Sequence, residues 1–465
     1  MRRAAFALAL AASACTVGPT YKRPVAHLPE AYRGGAPTST VAADEPSLGD
    51  QKWWGVFQDE QLQELIRTAL RQNFDVRLGA ARVAEARAQL GITRADQFPQ
   101  VDASALADRE RVSASPVPFP SQAFERNLFQ AGASTSWEVD FWGKFRRATE
   151  AARATLAATE WGRRAVVTSL VAQVAEAYFA LRAIDLNLDI SRQTLASRRE
   201  SLRLTQVRAE GGAASELDVR QAEQLVFGAS ATIVDLERQA QQQENLISIL
   251  QGNNPGAVPR GRTLTDQPLI PQVPTGLPSA LLERRPDIVE AEQTLVAASA
   301  NIGVARANFF PTVSLTGSGG FQSAALSSLL TGPAAFFTVG ATLLQPVFTA
   351  GRTRSQVELA EVRREEALLA YQQTIQQSLR DVSDALIAYR QDREFREQQQ
   401  QLARSAAEAL RLTTVRYQGG VSSYLEVLDA DTRLFIAQLG LAQAQLNELR
   451  ALVQIYRALG SGWEP

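Results

Sequence analysis

Apolar and polar positions alternate in two different rhythms along the chain. From Phe145 to Asn254, and again from Val347 to Glu464, there is no proline, and Ala, Leu, Gln, Glu and Arg dominate. Such stretches predict very long helices. At a rise of ~1.5 Å per residue, an unbroken helix from Arg352 to Gln418 extends about 100 Å, too long for a compact core. It must pack lengthwise against partners, as in a bundle or coiled coil. Each helical stretch is interrupted by paired glycines, Gly211-Gly212 and Gly419-Gly420, followed by Ser215 and Ser423 and then by Leu and an acid. A left-handed glycine ends one helix and the serine caps the next, so each stretch predicts a helical hairpin with its tip at 211–215 or 419–423. These tips are candidate docking surfaces as well as turns.

Upstream of each hairpin the period falls to two. Val313, Leu315, Gly317, Gly319 and Phe321 alternate with Ser314, Thr316 and Ser318; Phe337, Val339, Ala341 and Leu343 alternate with Thr338, Gly340 and Thr342. A weaker version runs through Val101–Asp108 and Phe129–Glu138. The pattern predicts strands at about 100–112, 128–141, 312–323 and 334–346, each with one apolar and one small polar face. A barrel wall between lipid and water has this signature. On pattern alone, a soluble half-buried sheet fits equally well.

The two textures recur because the sequence is duplicated. Leu202 to Val219, LRLTQVRAEGGAASELDV, returns 208 positions later as Leu410 to Val427, LRLTTVRYQGGVSSYLEV. The same offset relates Gly143-Lys144 to Gly351-Arg352 and Gly252 to Gly460, and RADQFPQV from Arg94 pairs with RANFFPTV from Arg306. Two copies this long imply an internal pseudo-twofold rather than a solenoid. The expected organisation is a first repeat over 53–262, a linker over 263–275 and a second repeat over 276–465. Two strands per repeat make four per chain, too few to close a barrel, and open strand edges are not tolerated in hydrocarbon. Three chains sharing one barrel would give twelve strands and room for a lumen.

Charge narrows the function. Lys and Arg number 48 against 49 Asp and Glu, a net charge of −1, which gives no basic footprint for nucleic acid. Arg2-Arg3, the apolar run Ala4–Ala12 and the small residues before Cys15 predict a signal peptide over 1–14. Cys15 is the sole cysteine, so no intramolecular disulfide forms. Its position after Ala12-Ser13-Ala14 makes it the candidate lipid-attachment residue, and 15–52 an extended lipidated segment; an ordinary Ala-x-Ala cleavage site is the plainer alternative. No run of ~18–20 continuous apolar residues predicts a spanning helix. The lone His27 has no Cys or His neighbour for a metal site, and no constellation predicts catalysis or a cofactor.

Five motifs together resemble one family: Cys15-Thr16-Val17-Gly18-Pro19-Thr20-Tyr21-Lys22-Arg23-Pro24; Trp53-Trp54 with Phe57 and Asp59; LLERRPDI from Leu281; IGVARANFFPTVSL from Ile302; and RYQGGVSSYLEVLDA from Arg416. They are similar to the outer-membrane efflux lipoproteins of the TolC and OprM type. The resemblance implies a mainly α fold with a membrane β-barrel portion: a homotrimer with a twelve-stranded barrel on an α-helical periplasmic tunnel. It also implies passive export from an inner-membrane pump of the resistance-nodulation-division type through a periplasmic adaptor. By position, Glu426 and Asp429 match the acids that ring the periplasmic constriction, and Asp218 and Tyr417 match an interhelix lock. Ser422 stands where some relatives carry an arginine latch. Type I protein secretion and heavy-metal export are the alternative transport roles, and a periplasmic coiled-coil scaffold is the non-transport one.

Overall fold

A computed structural model describes residues 16–26, 28–34, 52–112, 123–268 and 278–461. The expected signal peptide, Cys15, His27 and positions 269–275 of the expected linker lie outside the described residues.

The duplication reappears as matched elements. After α1 (Glu60–Gln72) come α2 (Phe74–Ala95), β1 (Gln100–Val112), β2 (Phe124–Val139), α3 (Lys144–Glu210) and α4 (Glu216–Leu250). The second series runs α5 (Pro286–Ala307), β3 (Thr312–Ser323), β4 (Ala335–Leu344), α6 (Arg352–Gln418) and α7 (Tyr424–Ala458). Helices α2 and α5 each have 22 residues, α3 and α6 each 67, and α4 and α7 each 35. The equal lengths follow from an offset with no net insertion. One 18-residue window of α3 is apolar enough to cross a bilayer on composition, but 72% of that window is buried within the chain, the environment of a core helix.

Contacts gather these elements into two compact units, and each draws on both repeats. Among the described residues, the first comprises 16–25, 83–112, 123–159 and 291–371; the second comprises 26, 28–34, 52–82, 160–268, 278–290 and 372–461.

In the first unit the strands form one antiparallel sheet in the order β1-β2-β3-β4. The register decides what its faces carry. Ala103 lies opposite Ala133, Ala133 opposite Gly319 and Gly319 opposite Phe337; Trp137, Leu315 and Ala341 make another such row, and Val139, Val313 and Leu343 a third. Directly opposed residues share a face, so apolar side chains of all four strands fall on one side. The other side carries rows such as Asp102, Ser134, Ser318 and Thr338. The apolar face is not covered: Phe337 is 84% exposed and Val339 82%. Strands β1 and β4 are the unpaired edges.

The N-terminal segment is strapped along the same unit. Val17 N–H donates to Trp142 O, and Arg147 Nη2 donates to Gly18 O. Gly18 has φ +109°, and a Cβ there would stand 2.5 Å from Gly303 Cα, so the strap crosses α5 glycine against glycine. Further along, Tyr21 Oη donates to Glu292 Oε1 at 3.0 Å, and Arg23 grips both oxygens of the same carboxylate at 2.7 and 2.6 Å.

The second unit is organised around Asp59, which is 1% exposed. Its Oδ1 caps α1 by accepting from Gln61 N–H and Leu62 N–H, while Oδ2 accepts from Tyr178 Oη, Arg262 N–H and Gln267 Nε2 at 2.8–2.9 Å. Burial pushes this carboxyl up, but the hydrogen bonds outweigh burial and hold it below the ordinary carboxylate range. Leu62, Ile66, Leu181, Ile247 and Ile455 are buried in the same unit, and Phe57 meets Phe179 and Tyr456 edge-on.

Candidate functional site

The two hairpin tips belong to the second unit, and both fold as their residues dictate. Gly212 (φ +76°) and Gly420 (φ +71°) take the left-handed turn that a Cβ disfavours. At the first tip, Ser215 Oγ accepts from Asp218 N–H while Asp218 Oδ2 accepts from Ser215 N–H, a full capping box that opens α4. At the second, Glu426 Oε1 faces Ser423 N–H at 3.4 Å and α7 begins at Tyr424. Gly211 and Gly419 close the last turns of α3 and α6 by donating to Val207 O and Val415 O.

Within one chain, each candidate residue meets a partner of its own. Asp218 is committed to its own helix cap and makes no hydrogen bond to Tyr417. Tyr417 instead lies under the Arg208 guanidinium, 4.8 Å from the ring centroid, and against Tyr424, 5.3 Å between centroids. Burial raises its phenol above the ordinary value, with Arg208 opposing that rise. Ser422 Oγ is buried with no hydrogen-bond partner among the described residues, so it does not replace an arginine latch. Glu426 and Asp429 are both exposed on α7, and Asp429 is paired within its own helix to Arg433 at 2.7 Å.

A tie that the sequence did not reveal joins the hairpins instead. Arg198 of α3 donates through Nε to Asp431 Oδ2 of α7 at 2.7 Å and through Nη1 to Leu225 O of α4. Its guanidinium also lies 5.0 Å from the Phe435 ring centroid. The side chains of Arg198 and Asp431 are 7% and 19% exposed, so this is a largely desolvated, charge-assisted pair. One turn nearer the tip, Ser201 Oγ and Tyr424 Oη share a hydrogen bond of 2.9 Å, and Tyr424 is buried. Arg198, Ser201, Arg208, Tyr417, Tyr424 and Asp431 thus clamp the first hairpin to the second along about three turns. No periodicity points to Arg198 or Asp431, because each reads as a solvated helix charge until its partner 233 positions away is known.

The outer membrane efflux protein family model matches the chain twice, over residues 65–253 and 277–461. Outer membrane protein OprJ of Pseudomonas aeruginosa is 37% identical, with the alignment covering 100% of this chain and 97% of OprJ. The cation efflux system protein CusC of Escherichia coli is 33% identical over 99% of this chain and 98% of CusC. The solved structure of the outer-membrane channel OprN superposes with a TM-score of 0.89 at 31% identity, covering 97% of this chain and all of that one. With the sheet, the paired hairpins and both halves of the sequence accounted for, the chain belongs to the outer membrane efflux protein family.

Proposed function

We propose that three copies of this chain close one twelve-stranded outer-membrane barrel, and that the assembly is the passive exit duct of a tripartite efflux pump. The observation that carries this reading is the four-stranded sheet with a continuous apolar face and two open edges. Unpaired strand edges in hydrocarbon cost several kcal/mol per backbone group, and pairing β4 of one copy with β1 of the next removes them. The helical hairpins supply the conduit beyond the membrane, and their tips at Gly211, Gly212, Ser215, Gly419, Gly420 and Ser423 receive a periplasmic adaptor that links the duct to an inner-membrane pump of the resistance-nodulation-division type. Cys15 carries the lipid that tethers the strap to the outer membrane. Sequence identity to CusC extends the proposed cargo to metal cations alongside organic solutes.

At the tips, threefold symmetry brings Glu426 and Asp429 of each copy toward one axis, six carboxylates in all. Arg433 offsets part of the Asp429 charge, which leaves Glu426 as the dominant member of a cation-attracting ring. The entrance is held by the Arg198–Asp431 pair and the Tyr417–Tyr424 contacts, in place of an arginine at Ser422. Single-channel recording in planar bilayers tests both statements. Wild type shows small cation-selective openings that millimolar divalent cation suppresses from the hairpin side, and R198M opens more widely and more often. Unchanged selectivity and divalent block in E426A/D429A would refute the ring, and wild-type-like openings in R198M would refute the tie.

A further inference from the structure

The second unit contains a cavity of about 640 Å³ whose lining includes none of the tip residues. It opens between α6, α7 and α3 because the residues facing it are small: Ala385 and Ala388 on α6, Ala451 and Ala458 on α7, Ala165 and Ser169 on α3. Its floor holds Thr168, which is 6% exposed and whose hydroxyl has no hydrogen-bond partner among the described residues. Its rim is charged with opposite signs on opposite helices. On α6, Asp381 is satisfied by Arg285 at 3.4 Å and by Arg380 at 3.0 Å, and Asp384 faces Arg380 at 3.9 Å. Asp392, half-buried two turns beyond Asp384, has no cationic partner among the described residues, and burial pushes its carboxyl up. On α7, Arg450 and Arg457 both lie near Glu176 of α3, to which Gln454 donates.

We propose that this cavity binds an amphoteric small solute, its cationic end against Asp392, its anionic end against Arg450 and Arg457, and a polar centre on the Thr168 hydroxyl. The rim favours such a solute over a simple ion. A half-buried carboxylate without a cationic partner among the described residues and two guanidiniums across the cavity present opposite charges to one solute, and a zwitterion meets both. The concave floor and buried hydroxyl suit a small molecule that enters the cavity rather than a helix face laid across it. An extended tripeptide with free termini carries one charge of each sign at its two ends and serves as the probe.

Isothermal titration of the purified full-length protein in detergent with triglycine, N-acetyl-triglycine and triglycine amide tests the site. Triglycine binds at least tenfold more tightly than either blocked peptide. Asp392→Asn removes the advantage over the N-acetyl form, Arg450→Gln removes the advantage over the amide, and Ala388→Leu, which fills the cavity with an apolar side chain, removes binding. Circular dichroism and retention of the heat-modifiable oligomer confirm that each variant folds. Equal binding of all three peptides, unaltered binding in Ala388→Leu, or no heat at all because a second copy covers the cavity would overturn the proposal. Conductance is recorded separately, so a negative titration leaves the duct reading standing or falling on its own test.

Discussion

The clamp of Tyr21 and Arg23 on Glu292 makes an asymmetric prediction. The Glu292 side chain is 7% exposed while that of Arg23 is 46% exposed, so the two partners differ in what happens when the other is lost. In Arg23→Met the carboxylate stays enclosed with Tyr21 as its remaining clamp donor. Breaking a fully buried pair this way costs ~3–5 kcal/mol, and the half-exposure of Arg23 reduces this to about 2–3 kcal/mol. In Glu292→Gln the amide oxygen still accepts from Tyr21, and Arg23 turns into water at a cost of at most ~1 kcal/mol. The double variant removes both charges and falls closer to Glu292→Gln than to Arg23→Met.

The free energy concerns local release of the strap, so hydrogen–deuterium exchange of the peptide spanning residues 16–25 is the assay. At ~1.4 kcal/mol per factor of ten, Arg23→Met raises the population of the open strap about 30- to 150-fold, and Glu292→Gln raises it by about fivefold at most. Protection elsewhere in the chain is unchanged. Equal acceleration in the two single variants, or a larger effect of Glu292→Gln, would show that Glu292 is already hydrated in the closed strap, contrary to its burial.

The other predictions concern the core and the tips. Asp59→Asn presents an amide to three donors that now converge on Oδ2, and it destabilises the second unit by about 3 kcal/mol, measured by denaturant unfolding. Because the folded carboxyl is held below its unfolded value of ~3.9, its contribution is full above that pH and is lost as pH falls through the folded value. Wild type therefore loses more stability below about pH 4 than Asp59→Asn does; parallel acid titrations would contradict this. Gly420→Ala places a Cβ at φ +71° and costs ~1–2 kcal/mol at the second tip, visible as faster exchange around residues 415–425.

What was legible in the sequence was what repeats locally. A period of two located the strands within a few residues, and the paired glycines located both tips, because the apolar face and the left-handed turn are imposed by consecutive residues. The Asp59 hub was not legible beyond its presence in a motif. Its partners Tyr178, Arg262 and Gln267 stand 119, 203 and 208 positions away, and none differs in type from an ordinary core or loop residue. The surroundings of Asp218 and Tyr417 were not legible either: Ser215, three residues before Asp218, captures its carboxylate in a local cap that forms without long-range closure entropy, while Tyr417 meets Arg208 and Tyr424.

The duplication explains why the hairpins are tied once and not twice. Shifting the Arg198–Asp431 pair by 208 positions gives Ala406 and Glu223, which cannot form an ion pair; Ser201 and Tyr424 become Ala409 and Glu216. Glu223 instead pairs with Arg220 on its own helix at 2.8 Å. In the proposed threefold assembly with pseudo-sixfold hairpins, the tied contact lies within a copy and its untied equivalent is expected between copies. We therefore expect the wild-type entrance to open by separation of neighbouring chains, with the Arg198–Asp431 pair keeping each chain's two hairpins together as one body. A406R supplies the missing guanidinium opposite Glu223 of the partner subunit, and it reduces the open probability of the R198M channel if that equivalence holds. An A406R/R198M channel that gates like R198M alone would show that the seam between copies does not use this contact, and opening would then have to begin within the chain, where Arg198 now holds it closed.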